Sequence, residues 1–277
     1  MKKQDYIIAS FSGGKDSTAM VLRLIELGER FDEVICCDTY KEFPAMYRHI
    51  EKVKKVVEAA GIKFTTLRAE KSFDYYMFDH VPERRRAKSN NARGFAWATA
   101  RIRWCTGELK KDVIRRYLKE LTKTHNVIQC VGIAADEGYR LERAVNKRED
   151  MRHPLVEWGW TEEKCLEYCY GKGYDWEGLY EIHRKEKGRC PRVSCWCCPL
   201  KTYEDYRILR KHFPDLWQEL KEMDKRAWNQ FTPRYSVEDF EKRFAFEDER
   251  KAAGLSITNR EFHKELKKIL QGEGSEE

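Results

Sequence analysis

Residues 10–18 read SFSGGKDST, between an apolar, strand-like run (6–11) and an amphipathic, helix-like one (17–27). A strand that enters a glycine-rich turn and leaves as a helix makes an anion site. Successive N–H groups point into the turn, and the helix N-terminus adds roughly half a positive charge. Gly13 and Gly14 let the backbone approach an anion without a Cβ in the way. Ser12 and Ser17 can donate hydroxyls, Lys15 supplies a mobile cation, and Asp16 is a carboxylate for a divalent metal. The spacing is neither G-x-x-x-x-G-K-S/T nor G-x-G-x-x-G. A plain strand–turn–helix would use the same glycines, but Lys15 and Ser17 stand where an anion would be held. The expected ligand is a nucleotide, with Ser10 in the same binding set.

Ten cysteines are a second source of chemistry, and Cys190, Cys195, Cys197 and Cys198 fall within nine residues. In a reducing compartment such a cluster reads as metal binding or catalysis, not as a disulfide framework. Cys36, Cys37 and Cys130 fall in apolar strand-like runs and read as core residues, as do Cys165 and Cys169 on one helix face.

Charge is uneven. Between residues 82 and 119 twelve Lys or Arg face three carboxylates, a local +9 in a chain of net +7, so the remainder is about −2. That concentration points to a polyanionic ligand, tRNA or DNA, or the phosphates of a small nucleotide. For 110–119 alone a solvated helix face explains the lysines and arginines as well. With 41% hydrophobic and 36% charged residues in 277, the chain can bury a full core and should be soluble. No apolar run approaches the roughly 18 residues of a membrane span, and the N-terminus runs straight into the first strand. The expected location is the cytoplasm, with no membrane partner; a homodimer is compatible with the sequence.

The elements that must position these groups alternate. Strand-like runs at 6–11, 33–39, 62–67 and 126–133 are separated by helix-like runs at 17–27 and 46–60, with Gly28 and Gly61 as stops. Alternation predicts an α/β fold, a doubly wound parallel sheet with helices on both faces. Ligands in such sheets bind at the carboxyl ends of the strands, which Asp38 and residues 132–140 would reach. From about residue 160 strand signals vanish, Trp and Tyr become frequent, and 200–225 and 257–270 read as helices before a tail at 272–277. The expected division is a nucleotide-binding domain (1–160) and a C-terminal helical, cysteine-containing region (161–277).

SGGKDS resembles the signature of the PP-loop pyrophosphatases, which cleave ATP between its α and β phosphates. Five further stretches are similar in order and spacing to phosphoadenosine-phosphosulfate reductase-like proteins: DTYKEFPAMY (38–47), RWCTGELKKDV (103–113), GIAADEGYR (132–140), PLVEWGW (154–160) with Tyr168, and CWCCP (195–199). The resemblance covers about residues 6–200. It implies a Rossmann-like PP-loop domain with Gly132 and Asp38 at the nucleotide, Asp38 serving ribose, adenine or Mg²⁺. Arg101, Arg103 and Arg140 would clamp phosphate or sulfate, Arg101 and Arg103 also placing the acceptor. It further implies Cys105 as a metal ligand with Cys195 and Cys198. Cys190 is the natural fourth and Cys197 the spare, the set holding a 4Fe-4S cluster or, alternatively, Zn²⁺.

Two departures matter. Sulfonucleotide reductases attack with a thiolate on a C-terminal tail, and no cysteine follows Cys198 here. Their phosphate loop also usually lacks the Lys-Asp pair that Lys15 and Asp16 supply. The expectation is therefore an adenylating enzyme that uses ATP and Mg²⁺ and passes sulfur from a donor to a nucleic acid or small molecule. Its alternatives are a sulfonucleotide reductase and a non-catalytic nucleotide or nucleic-acid binding protein with structural zinc.

Overall fold

A chain whose first strand is apolar on both faces must be covered on both. In YIIASF, Ile8, Ala9 and Phe11 are buried together, as a central parallel strand requires. The computed structural model describes residues 3–81, 93–143, 148–188 and 190–271. Its five strands are β1 (Gln4–Phe11), β2 (Glu33–Asp38), β3 (Lys63–Arg68), β4 (His125–Val131) and β5 (Met151–Arg152). All pair in parallel in the order β3-β2-β1-β4-β5. With helices on both faces, this is the doubly wound α/β sheet the alternation predicts. The order reverses about β1, so the loops after β1 and β4 diverge and leave a crevice at the carboxyl edge.

Helix α1 (Lys15–Glu26) buries Ala19, Met20, Val21 and Leu24. Burial of each larger side chain contributes about 1.5–3 kcal/mol. Helix α2 (Pro44–Ala59) begins on a proline, whose missing N–H costs nothing in a first turn. Helix α3 (Asp112–Leu121) occupies the stretch whose lysines and arginines also read as a solvated face. Two helices follow β5: α4 (Glu162–Gly171), capped by the Thr161 hydroxyl, and α5 (Leu179–Lys187).

Contacts divide the chain into two compact units, Met1–Phe73 with Arg103–Trp196 and Asp74–Ile102 with Cys197–Glu277. Residues 161–196, expected with the C-terminal region, fold with the sheet because α4 packs along α1. Residues 74–81 and 93–102 instead join the C-terminal helices. There the Trp97 indole donates to Asp224 (2.7 Å), and Asn229 exchanges hydrogen bonds with the Trp97 backbone (2.8 and 3.0 Å). The helix expected over 200–225 is two, α6 (Tyr203–His212) and α7 (Pro214–Arg226), because Pro214 cannot continue the first. Helices α8 (Val237–Ala252) and α9 (Arg260–Gln271) complete the second unit. Residues 82–92 of the basic segment and the tail 272–277 lie outside the described residues. No described helix is long and apolar enough to cross a membrane.

Candidate functional site

The turn between β1 and α1 is tied by its own hydroxyls. The Ser12 N–H donates to Ser17 Oγ (3.1 Å), which donates to the Gly14 carbonyl (3.0 Å) and lies 3.1 Å from Ser12 Oγ. Gly13 has a φ of +79°, and a Cβ there would meet Met46 Sδ at 2.8 Å. Gly132, just past β4, lies so close that a Cβ would stand 3.0 Å from Ser17 Cα and 3.1 Å from its nitrogen. The loop after β4 thus rests directly on the turn.

Lys15 is 2% exposed, so its ammonium must be paired. It donates to both Asp16 oxygens (3.0 Å each) and to Glu162 on α4 (2.7 Å). Burial alone would lower its pKa; Asp16 and Glu162 outweigh that and raise it. Burial pushes the Asp16 carboxyl up to about 6 even against the neighbouring Lys15. Arg192 grips Glu162 with two nitrogens (2.9 and 3.0 Å) and pairs with Glu137. The buried Glu137 also holds Arg140 (2.8 and 2.7 Å). The Lys15 N–H donates to the Tyr180 hydroxyl (3.1 Å), whose titration burial shifts strongly upward.

These groups surround a cavity of about 190 Å³ lined by Ser12, Gly14, Lys15, Asp16, Ser17, Gly132, Arg140 and Arg192, among others. A second, of about 220 Å³, shares Ser12, Ser17, Gly132 and Arg140 and adds Ser10, apolar Phe11, Ile35, Ile114 and Val131, and Lys110 and Cys37. One is polar and cationic and its neighbour largely apolar, a pairing that suits a phosphate chain continued by an organic ring system.

The remaining expected residues divide. Asp38 accepts from the Tyr40 N–H (2.8 Å), Tyr47 (3.0 Å) and Arg68 (3.0 Å), which makes it an anchor of the β2–α2 loop, and it lines neither cavity. Arg103 caps the short helix Trp104–Thr106 and lines neither cavity, while Arg101 belongs to the second unit. Cys105 and Cys195 lie near the same cation. Burial pulls the Lys110 pKa down, but Glu42, Cys195, Cys37 and Cys105 outweigh it and the result is raised. Cys190 sits elsewhere, in the field of Lys15, Glu162 and Glu163, its thiol pushed up to about 11 mainly by burial. Cys197 and Cys198 belong to the second unit. Among the described residues no three His, Cys, Asp or Glu side chains gather as a metal-ion site.

Cys36, Cys130, Cys165 and Cys169 are core residues as expected, but Cys37 is not. It is half-buried and, two positions beyond Ile35 on β2, shares the face that lines the second cavity. Burial raises its thiol to about 11, and it donates to the Leu109 carbonyl (2.9 Å). The sequence reading missed Glu162, Arg192, Tyr180, Glu137 and Lys110. Only Glu137 and Lys110 lie inside motifs that could have singled them out.

The family profile described as phosphoadenosine phosphosulfate reductase domain matches residues 6–201. The chain belongs to this family. An uncharacterized protein of Methanocaldococcus jannaschii is 26% identical over 220 residues, 76% of this chain and 40% of that relative. The reductase-family chain thus spans about two fifths of that curated relative's length. Among solved structures, the U34-tRNA thiolase NcsA from Methanococcus maripaludis with its 4Fe-4S cluster superposes at a TM-score of 0.38. That pair is 14% identical, with 81% of this chain and 73% of the other covered. At that score the likeness is too loose to carry a residue across.

Proposed function

We propose that this reductase-family chain binds ATP and splits it into an adenylate and pyrophosphate, activating an acceptor for sulfur transfer. The supporting observation is the pair of cavities that share Ser12, Ser17, Gly132 and Arg140, with Lys15 and Arg192 lining the polar one. An acceptor oxygen attacks the α-phosphorus, the bond to the α–β bridging oxygen breaks, and pyrophosphate leaves with the electron pair. Charge grows on that leaving group, and preorganised donors there lower the barrier. Lys15, the loop N–H groups and the two arginines are those donors. An arriving phosphate takes Lys15 from Glu162, which retains Arg192 as its partner. A sulfur nucleophile then displaces AMP from the acceptor.

Asp16 and Glu137 both line the cavity; Glu137 is held by Arg140 and Arg192, and Asp16, inside the loop motif, is the carboxylate proposed to hold Mg²⁺, which would neutralise charge on the leaving pyrophosphate. Asp38 is already satisfied by its loop. Cys105 and Cys195, near the half-buried Lys110, suit a thiolate-bound metal and are the first ligands to test in the Cys105, Cys190, Cys195, Cys198 set. A 4Fe-4S cluster there would supply an iron site for incoming sulfur, whereas Zn²⁺ would be structural. Residues 82–119 make tRNA or DNA the favoured acceptor by charge, residues 93–119 of them being described.

The test is pyrophosphate release from Mg-ATP by purified protein, with tRNA or DNA added. Release that disappears in Lys15→Ala supports adenylation. Sulfite release from a sulfonucleotide with thioredoxin would replace it with reductase chemistry. Tight ATP binding without pyrophosphate release would leave only a binding module. Iron content and a broad absorbance near 400 nm, lost in Cys105→Ser, would separate cluster from zinc.

A further inference from the structure

The peptide joining Gly13 to Gly14 sits at the turn of the phosphate loop, and the shortest bond to its carbonyl comes from far along the chain. Flipping a peptide changes ψ of one residue and φ of the next, and here both are glycines, so either orientation is sterically open. Its orientation decides whether an N–H or a carbonyl oxygen faces the anion. The structure holds the carbonyl from behind: the Trp176 indole N–H donates to the Gly13 oxygen at 2.8 Å, with the Thr18 hydroxyl at 3.5 Å. A trans peptide sets C=O and N–H on opposite sides. The Gly14 N–H therefore points away from Trp176, and Gly14 lines the cavity together with Ser12 and Lys15.

Trp176 is itself held against strain. Its φ is 50°, that of Glu177 is 54° and that of Gly178 is 80°, three successive left-handed residues of which two carry side chains. Left-handed side-chain residues persist where surroundings over-determine them. Here the Asp175 carboxylate accepts from the Glu177 N–H (3.1 Å), and Arg48 clamps Glu177 with two 2.5 Å bonds. His49 stacks on the indole at 4.3 Å and lies 2.9 Å from the Thr18 hydroxyl. Burial drives its pKa down to about 3, so the stacked ring is neutral.

We infer that Trp176 is a positioning residue that locks the Gly13–Gly14 peptide with its N–H toward the bound phosphate. This rests on reading the loop as a pyrophosphate site. Trp176→Phe keeps most of the ring and removes the N–H. Inorganic pyrophosphate titrated into wild type and W176F should bind the variant at least about tenfold more weakly. In amide spectra the Gly14 signal should move on pyrophosphate addition in wild type and stay still in W176F, while those of Lys15 and Ser17 move in both. Val57→Ala on α2, fully buried and two turns beyond the Ile50 that adjoins Gly13, is the control for general destabilisation and should leave affinity within about twofold.

Wild-type binding that W176F retains, with Gly14 still responding, overturns this inference alone. Absence of binding by wild type takes down the nucleotide reading as well. Should W176F not fold, the wild-type protein decides: the Trp176 indole proton must resist exchange with and without pyrophosphate, and free exchange overturns the lock.

Discussion

At the amino ends of the strands Glu33 is fully buried, and at the carboxyl ends Lys15 is 2% exposed; both charges are paired, but to different effect. Glu33 accepts from Tyr6 (3.2 Å), Tyr117 (2.6 Å) and Thr65 and pairs with Lys63 (2.9 Å). These partners outweigh burial and lower its pKa, and burial with Glu33 pushes Tyr6 up to about 12. Glu33 lines neither site cavity. Lys15 also has its partners, but it faces a cavity, and Asp16 beside it is held by burial at about 6. A closed, satisfied network stabilises one geometry, whereas a paired charge at a cavity can exchange its partner for a ligand.

The sharpest contrast is catalytic. Lys15→Ala should cut pyrophosphate release by about 10²–10³-fold, whereas Glu33→Gln should leave it unchanged. Release surviving in Lys15→Ala would erase the distinction. Next comes stability: Glu33→Gln breaks a buried pair and should cost about 2–4 kcal/mol in chemical denaturation.

Titration separates the ends as well. Asp16, raised to about 6, binds its proton more tightly folded than unfolded, so its contribution to stability falls as pH rises from about 4 to about 6. Asp16→Asn should remove that slope, making the wild type-minus-variant difference shift by about 2–3 kcal/mol across that range. A flat difference would place Asp16 in ordinary solvent. The smallest effect is expected for Glu162→Gln, which releases Lys15 and Arg192 from a carboxylate. Pyrophosphate should then bind about threefold to tenfold more tightly by calorimetry. Weaker binding would make Glu162 an organiser of the site, not a competitor.

The phosphate loop was legible because all of its chemistry lies in nine contiguous residues. Glu162 and Arg192 were not, since Glu162 reaches Lys15 from 147 positions away and Arg192 acts through Glu162, and nothing local distinguishes them from surface charges. Asp38 has the right place in the motif, yet Tyr47 and Arg68 use its oxygens for the loop. Cys37 was misread because an apolar run hides which face of a strand meets a cavity. Two features could have been read better. Pro214 marks a helix start, and Ser236 with Asp239 forms a reciprocal cap that announces α8. Trp176 and Tyr180, beyond the boundary expected at 160, bond to the phosphate loop through contacts that composition does not reveal.

The central place of β1 has a consequence for synthesis. A nascent chain can zip β1 to β2 and β2 to β3 once residue 68 has emerged, but the other flank of β1 waits for β4, whose paired residues begin at His125. Trp176 and Arg192 emerge later still. On the ribosome the loop is therefore made well before the residues that complete it, so a chain truncated before residue 176 should carry the motif yet fail to retain pyrophosphate.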